Sequence, residues 1–260
     1  MVTKPGQSPE IPALIIGDDP VNVLGAARNL GRLRIPVYRL GADASGVLRS
    51  RYVKSARIVQ DLDDCPDEEY LKILEEFAEH IGRRAVIFPL SDIHVLRVSS
   101  NAEALSKHYA LRLPGNDAVE TLVNKRRFYE SLRDFGAPHP MSLYPTSRQE
   151  YLEAAEKIGY PVFLKPEISP LFAKKFRLKG LVANNPEELS NNYDILAGSG
   201  LEIVLQEIIP GEASCMHGCA GVVSDVDVTT FCYRRVREFP AGFGCGSLMK
   251  SVEDFSGGTR

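Results

Sequence analysis

The sequence predicts an α/β chain in two parts: a parallel sheet with covering helices at about residues 10–113, then an α+β unit over 114–260. Three observations predict it. Up to "YALRLPG" short apolar runs alternate with helix-spaced patterns, and such alternation gives a parallel sheet with right-handed crossovers. After residue 113 the rhythm changes, and helices, strands and a hairpin pattern follow in irregular order. No internal repeat or low-complexity segment interrupts either part.

The elements follow in order. "PALIIG" is a short apolar run suited to a buried strand. In "DPVNVLGAARNLGRLR", Val23, Ala26, Ala27, Leu30 and Leu33 recur at helical spacing, with Asp19 as cap and Pro20 at the first helical position. "IPVYRLG" is the next strand, and "SRYVKSARIV" reads as a loop leading to a third. "DEEYLKILEEFAEHIG" sets Tyr70, Leu71, Leu74 and Phe77 on one helical face, and Gly82 stops it. "RAVIFPL" is a strand, "SDIHVLRVSSNAEALSKH" a loop and helix, and "YALRLPG" a last short strand.

In the second part, "DAVETLVNKRRFYESLRDFG" is two short helices or one bent helix, and "APHPMSLYP" is held extended by its prolines. "TSRQEYLEAAEKIG" is a helix capped by Thr146 or Ser147 and stopped by Gly159. "YPVFLKPEI" and "LKGLVANN" are strands on either side of a basic loop. "PEELSNNYDILAGSG" is a helix, "LEIVLQEIIPGE" a strand, and "SCMHGCAGVVSDVDVTTFCYRRVREFP" an antiparallel hairpin turning near Ser224-Asp225.

Composition narrows the function classes. The chain has 260 residues, 44% apolar and 25% charged, with a net charge of -3. That is ordinary globular composition and no footprint of a nucleic-acid binder. No apolar run reaches about 18 residues, so no membrane span is expected. The N-terminus lacks the pattern of a secretory signal. Five cysteines at irregular spacing are not a disulfide framework. Together these favour a reducing, cytoplasmic setting.

Lys165 poses the sharpest chemical question. It ends the apolar run Val162, Phe163, Leu164, and a charge at the end of a buried strand needs a counter-charge. A lysine at a cleft is a point-charge phosphate ligand. The stretch 168–179, with Lys174, Lys175 and Lys179, suits a basic loop that closes over phosphates. Downstream, the strand "VLQEIIPGE" ends in Gln206-Glu207, two isoleucines and a Pro-Gly turn. Backbone groups there can read an adenine edge between apolar side chains, and a carboxylate past the turn can take ribose hydroxyls. Plainer readings stand beside others. Lys125, beside Arg126 and Arg127, is by itself a solvated helix face. Gly17, Gly25 and Gly31 do not make a dinucleotide fingerprint, because Asp18 and Asp19 fill the turn and would repel pyrophosphate. "CMHGC" sets Cys215, His217 and Cys219 on one face of a strand, but zinc wants a fourth ligand; buried thiols and a packed histidine are the plainer account. His94 and Asp92 either face the cleft at the end of a parallel strand or lie on a solvated helix. His139, between prolines, reads as a loop residue.

Lys125 on a helix, "GYPVFLKP", a basic loop and "VLQEIIPGE", in that order, resemble the ATP-grasp superfamily, and the first part resembles the Rossmann-like pre-ATP-grasp domain that precedes it there. "SRYVKSARIV", "FPLSDIHVL", "LVNKRRFYESLRDFGAPHP" and "YRRVREFPAGFGCGSLMKS" look most like the carboxylate–amine ligase branch, with its D-aspartate ligase-like and carbamoyl-phosphate-synthetase-like members. The resemblance runs from about residue 12 to 253. It implies a pre-ATP-grasp domain at 1–113 and an incomplete ATP-grasp domain at 114–260 with a lid at about 159–210. It implies ATP with Mg2+, and small carboxylate and amine substrates; oligomeric state stays open, with a homodimer among the options.

The resemblance also implies roles. Lys125 and Lys165, with Lys174 and Lys175 from the lid, would contact ATP phosphates. Gln206, Glu207, Ile208 and Ile209 would form the adenine linker, and Glu212 would hold ribose. Arg235 and Arg237 would face the transferred phosphate or the carboxylate. Gly244, Gly246 and Ser247 would form a small-residue loop at the acyl group, and His94 would meet substrate. Two departures stand out: the loop after Lys165 is lysine-rich where the family often has a glycine pair, and the family's magnesium ligands belong to a strand segment later than Arg260. The expected activity is ligation: a carboxylate attacks the γ-phosphate to give an acyl phosphate, which an amine displaces. A nucleotide-binding module without catalysis, or a fragment of a longer ligase, is the alternative. A Rossmann-type oxidoreductase is a third reading, against which the Asp18-Asp19 turn counts.

Overall fold

Ala13–Ile16 (β1) is buried at every position, as a central strand covered on both faces must be. The computed structural model describes residues 11–42, 50–176, 178–224, 226–239 and 242–253, without the side chains at 170, 171, 173 and 174. The chain divides into two compact units, Met1–Ser131 and Leu132–Arg260.

In the first unit β1 leads into α1 (Pro20–Arg32), whose start Asp19 caps by accepting from the amides of Val21 and Asn22 at 2.8 and 3.0 Å. Leu33 falls past the helix end and is exposed. β2 (Val37–Gly41) follows, then β3 (Val53–Ile58), a strand inside the stretch expected to be a loop. Its half-buried pattern explains the miss: an edge strand with Lys54 and Arg57 carries no apolar run. α2 (Asp67–Ile81) buries Tyr70, Ile73, Leu74, Phe77 and Ile81, and Gly82 ends it with a left-handed φ of 71°. β4 (Ala85–Pro89) runs into α3 (Asp92–Ser100), capped by Ser91 within the stretch expected to hold a loop and a helix. α4 (Ala102–Leu105) and β5 (Tyr109–Ala110) complete the sheet, and α5 (Asn116–Val123) packs on α3. The expected division at 113 precedes α5, whereas the two units divide inside α6 (Lys125–Asp134).

The sheet order is β3-β2-β1-β4-β5, and the pairings are parallel. β1 serves two cores. Leu14 and Ile16 join the α2 side with Leu74 and Phe77, while Ile15 joins Val23, Ala27 and Val37 on the α1 side. The strand order reverses between β1 and β4, where open α/β sheets bind ligands. Here the turn after β1 is occupied by the chain itself. Asp18 accepts from the Ala42 amide at 2.6 Å and lies 3.5 Å from the buried Arg39 guanidinium, and Asp19 is the helix cap.

The second unit holds two antiparallel sheets. β6 (Ser142–Leu143), β7 (Val162–Pro166), β8 (Leu181–Ala183) and β9 (Ile203–Glu207) form one, in the order β6-β9-β7-β8. α7 (Arg148–Ile158) and α9 (Pro186–Ala197) start on side-chain caps from Ser147 and Asn185. They bury Tyr151, Ala155, Leu189 and Leu196 with Val162, Leu164 and Leu205 from the sheet. Residues 169–176, expected to lie in a basic loop, instead form α8 (Ser169–Phe176), which seats Phe172 in that core. β10 (His217–Val223) and β11 (Val228–Phe239) form the expected hairpin, closed by Ser224 and Asp227. β12 (Cys245–Ser251) is a third strand where a small-residue loop was expected, so Gly246 and Ser247 lie in a sheet. Among the described residues no helix is long and apolar enough to cross a membrane.

Candidate functional site

Strand alternation builds one wall of a cavity in the second unit. In β7, Val162 and Leu164 point into the helix-covered core, so Phe163 and Lys165 share the opposite face. Gln206 pairs with Phe163 and Val204 with Lys165 across β9. The Gln206 side chain donates to Ser142 Oγ at 2.7 Å, and the Glu207 amide donates to the Met141 carbonyl at 3.0 Å, which ties the end of β9 to β6. The chain then runs through Ile208 and Ile209 into the Pro210-Gly211 turn and a short 3₁₀ turn at Ala213–Cys215.

These segments enclose a cavity of about 800 Å³, the size of a small-molecule site. Lys165, Gln206, Glu207, Ile208, Ile209 and Glu212 all line it. Phe163, Pro140, Met216, Glu238, Gly242 and Phe243 also line it. Among the described lining residues Lys165 is the one cation, facing an apolar chamber with carboxylates at its edge. The Phe163 and Phe243 rings stack at 4.5 Å between centroids. Glu238 organises the other wall: it accepts from Arg235 Nη1 at 2.9 Å and from the Gly242 amide at 2.7 Å. Irregular pairing on both sides of Arg237 breaks the alternation that would put residues three apart on opposite faces.

Several expected contacts lie elsewhere. Arg235 is largely buried against Glu238 and does not line the cavity, and Arg237 is exposed on β11. Ser247 is exposed, skipped in the register between Gly246 and Leu248. Lys175 is exposed and donates to the Ser199 carbonyl at 3.1 Å, away from the cavity lining. The Lys174 side chain lies outside the described residues. Lys125 opens α6 in the first unit, half-buried, one residue after Asn124, which caps the Arg127 amide at 3.0 Å. His94, expected either at an open cleft or on a solvated helix, is neither. It is fully buried in the first unit, stacked on Tyr70 at 5.9 Å, with Nε2 3.1 Å from Asp63. Burial and the stacked Tyr70 ring make it part of the packing there. Cys219 faces Cys232 rather than forming a ligand set with Cys215 and His217. No three carboxylate, histidine or cysteine side chains converge as metal ligands among the described residues.

Of the residues that sequence reasoning missed, Phe163 was legible: it lies two residues from Lys165 on a strand and must share its face. Glu238 and Phe243 reach the cavity only through the irregular β11–β12 pairing, which leaves no periodic signal.

No family model matches the chain. The D-aspartate ligase of Enterococcus faecium is 24% identical over 267 residues, covering 96% of this chain and 62% of the ligase. The carbamoyl phosphate synthase large chain of Thermomicrobium roseum is 42% identical over a 50-residue stretch, 19% of this chain and 5% of that one. Among solved structures, carboxyaminoimidazole ribonucleotide synthase from Aspergillus clavatus, complexed with ATP, superposes with a TM-score of 0.64 at 15% identity, over 88% of this chain and 55% of that one. The chain shares the fold of this ATP-grasp enzyme. An L-amino acid ligase from Bacillus licheniformis of the same fold superposes with a TM-score of 0.65 at 16% identity, over 90% of this chain and 52% of that one. The chain therefore spans 62% of the length of the ligase it matches almost end to end, and about half of these ATP-grasp structures. The expected order, a parallel-sheet unit followed by an α+β unit, is the order the fold has.

Proposed function

We propose that this chain carries the nucleotide site of an ATP-dependent carboxylate–amine ligase acting on amino-acid-type substrates. The observation that carries the reading is the convergence of Lys165, the 206–209 linker and Glu212 on one 800 Å³ cavity in an ATP-grasp fold. The resemblance to D-aspartate ligase over 96% of the chain supports the substrate class.

The cavity chemistry suits a nucleotide. Phe163, Ile208, Met216 and Phe243 offer apolar surface to a purine, and the linker leaves backbone groups at the ring edge. Lys165 holds a phosphate as a point charge, unscreened by other cations among the described lining residues. Glu212, past the Pro-Gly turn, accepts from ribose hydroxyls. ATP, when bound, supplies the phosphoryl group that turns a carboxylate into an acyl phosphate, from which an amine displaces phosphate. Residues of the chain contribute positioning and charge neutralisation. Magnesium enters with the nucleotide, and since no ligand set converges among the described residues, none is assigned.

Titration calorimetry with MgATP and MgADP tests this. Binding is expected, with Lys165→Met weakening it more than tenfold while the circular dichroism spectrum is kept. Unchanged affinity in that variant would remove Lys165 from the site. Phosphate release by the protein across a panel of amino acids tests the ligase reading; ATP binding without ADP formation for any acceptor would leave a nucleotide-binding module instead.

A further inference from the structure

Cys219 and Cys232 stand directly opposite each other on β10 and β11 with their sulfurs 3.3 Å apart, and neither is in a disulfide. The ladder fixes which kind of pair they form. Two backbone bonds mark hydrogen-bonded positions: the Arg235 amide donates to the Met216 carbonyl at 2.8 Å, and the Ser224 amide to the Asp227 carbonyl at 2.9 Å. Hydrogen-bonded and non-hydrogen-bonded pairs alternate along an antiparallel ladder. In the register His217↔Arg234 to Val223↔Val228, even residues of β10 are therefore hydrogen-bonded and odd ones are not. Cys219↔Cys232 is a non-hydrogen-bonded pair, the kind in which Cα atoms approach to about 4.5 Å and side chains come closest. That spacing lies within the range a disulfide spans.

The surroundings bias the chemistry. His217 and Arg234 are the pair two positions along and so share the face of the cysteines, and Lys250 of β12 stands opposite Arg234. The Arg234 and Lys250 side chains beside the thiols attract an anionic partner. Cys219 is exposed and Cys232 half-buried, which separates an entering sulfur from a resolving one. Neither lines the nucleotide cavity.

We propose that Cys219 and Cys232 are an oxidisable dithiol, a modification site that takes up an acidic low-molecular-weight disulfide of the glutathione type and closes a cross-strand disulfide between β10 and β11. The Cys219 thiolate attacks one sulfur of the small disulfide and expels a thiolate, leaving a mixed disulfide. The Cys232 thiolate then attacks Cys219 Sγ and expels the second small thiolate. Two protein thiols are oxidised and one small disulfide is reduced to two thiols, with the protons passing to the released thiolates.

Peptide mapping by mass spectrometry without reductant, after exposure of the whole protein to glutathione disulfide, tests this. The expected product joins the Cys219 and Cys232 peptides, two hydrogens lighter and without retained glutathione. Cys232→Ser removes the resolving thiol and should accumulate a stable glutathione adduct on Cys219. Cys219→Ser should leave Cys232 slow to react. A persistent adduct on Cys219 in the unaltered protein, matching that in Cys232→Ser, would overturn the proposal, as would failure to link the two peptides. Equal reactivity of Cys232 in Cys219→Ser would overturn the assigned order of attack.

Discussion

Phe163 and Phe243 stack with ring centroids 4.5 Å apart and planes inclined by 14°, so β7 and the β11–β12 connection share one aromatic contact at the cavity. Phe163 is held in place by its strand, whereas Phe243 is 45% exposed on a connection. An aromatic pair contributes about 0.5–1.5 kcal/mol beyond its buried area, and exposure puts this pair toward the lower end. Phe243→Ala should therefore lower the melting temperature by only a few degrees while weakening MgADP several-fold. Calorimetric scanning and titration measure the two separately. A fall in stability with unchanged affinity would reduce Phe243 to packing.

Gly180 makes a sharper demand on the same strand. A Cβ there would meet the Leu164 carbonyl oxygen at 2.4 Å and the Phe163 ring at 2.6 Å. The oxygen is backbone and cannot turn aside. Gly180→Ala should cost about 1–3 kcal/mol of stability, the usual range for overpacking, and should displace β7, which carries Phe163 and Lys165. Chemical denaturation would show the first effect and nucleotide titration the second. A variant as stable as the parent would mean that the approach relaxes at no cost.

The sequence made legible what depends on periodicity. Asp19-Pro20 before Val23 and Ala27 locates α1, and Val162-Leu164 against Phe163-Lys165 separates a core face from a cavity face. β3 was not legible because an edge strand with Lys54 and Arg57 lacks an apolar run. α8 was hidden by its lysines, which suggest a solvated loop, although Phe172 and Phe176 at i and i+4 supply a helical stripe. Residues 206–209 and Glu212 come together at one cavity because they lie close in sequence. Glu238 was not legible, because its contact with Arg235 depends on irregular pairing with β12, a strand that itself read as a loop.

Glu238 accepts two hydrogen bonds from groups four and three residues away in sequence, and both fix the wall that carries Phe243. Its side chain is 10% exposed and that of Arg235 18%. Glu238→Gln keeps the shape and removes the charge, leaving a largely buried guanidinium without its carboxylate. Hydrogen bonds to charged groups contribute about 1.5–3 kcal/mol, so a loss in that range is expected. Arg235→Met in the Glu238→Gln background should recover part of it, because the uncompensated charge then disappears. A double-mutant cycle in urea measures the coupling. Additive losses would show that the two side chains do not depend on each other.

Alkaline pH should unfold the protein through its buried tyrosines. Burial pushes the Tyr151 hydroxyl up to about 12, with the neighbouring Tyr193 adding to the shift. Burial raises Tyr70 and Tyr109 as well, and Tyr109 donates to the Leu74 carbonyl at 2.7 Å. Below the ordinary value of 10.0 both folded and unfolded states keep the proton, so these groups leave stability independent of pH. Above it the unfolded chain releases the proton while the folded chain holds it. The unfolded state then binds fewer protons, and stability falls with rising pH. The Tyr151 share of the fall spans the window from 10 to about 12. Urea midpoints measured across that window should decline, and Tyr151→Phe should flatten the decline without altering its onset from the other two. An unchanged slope in Tyr151→Phe would place the alkaline sensitivity elsewhere.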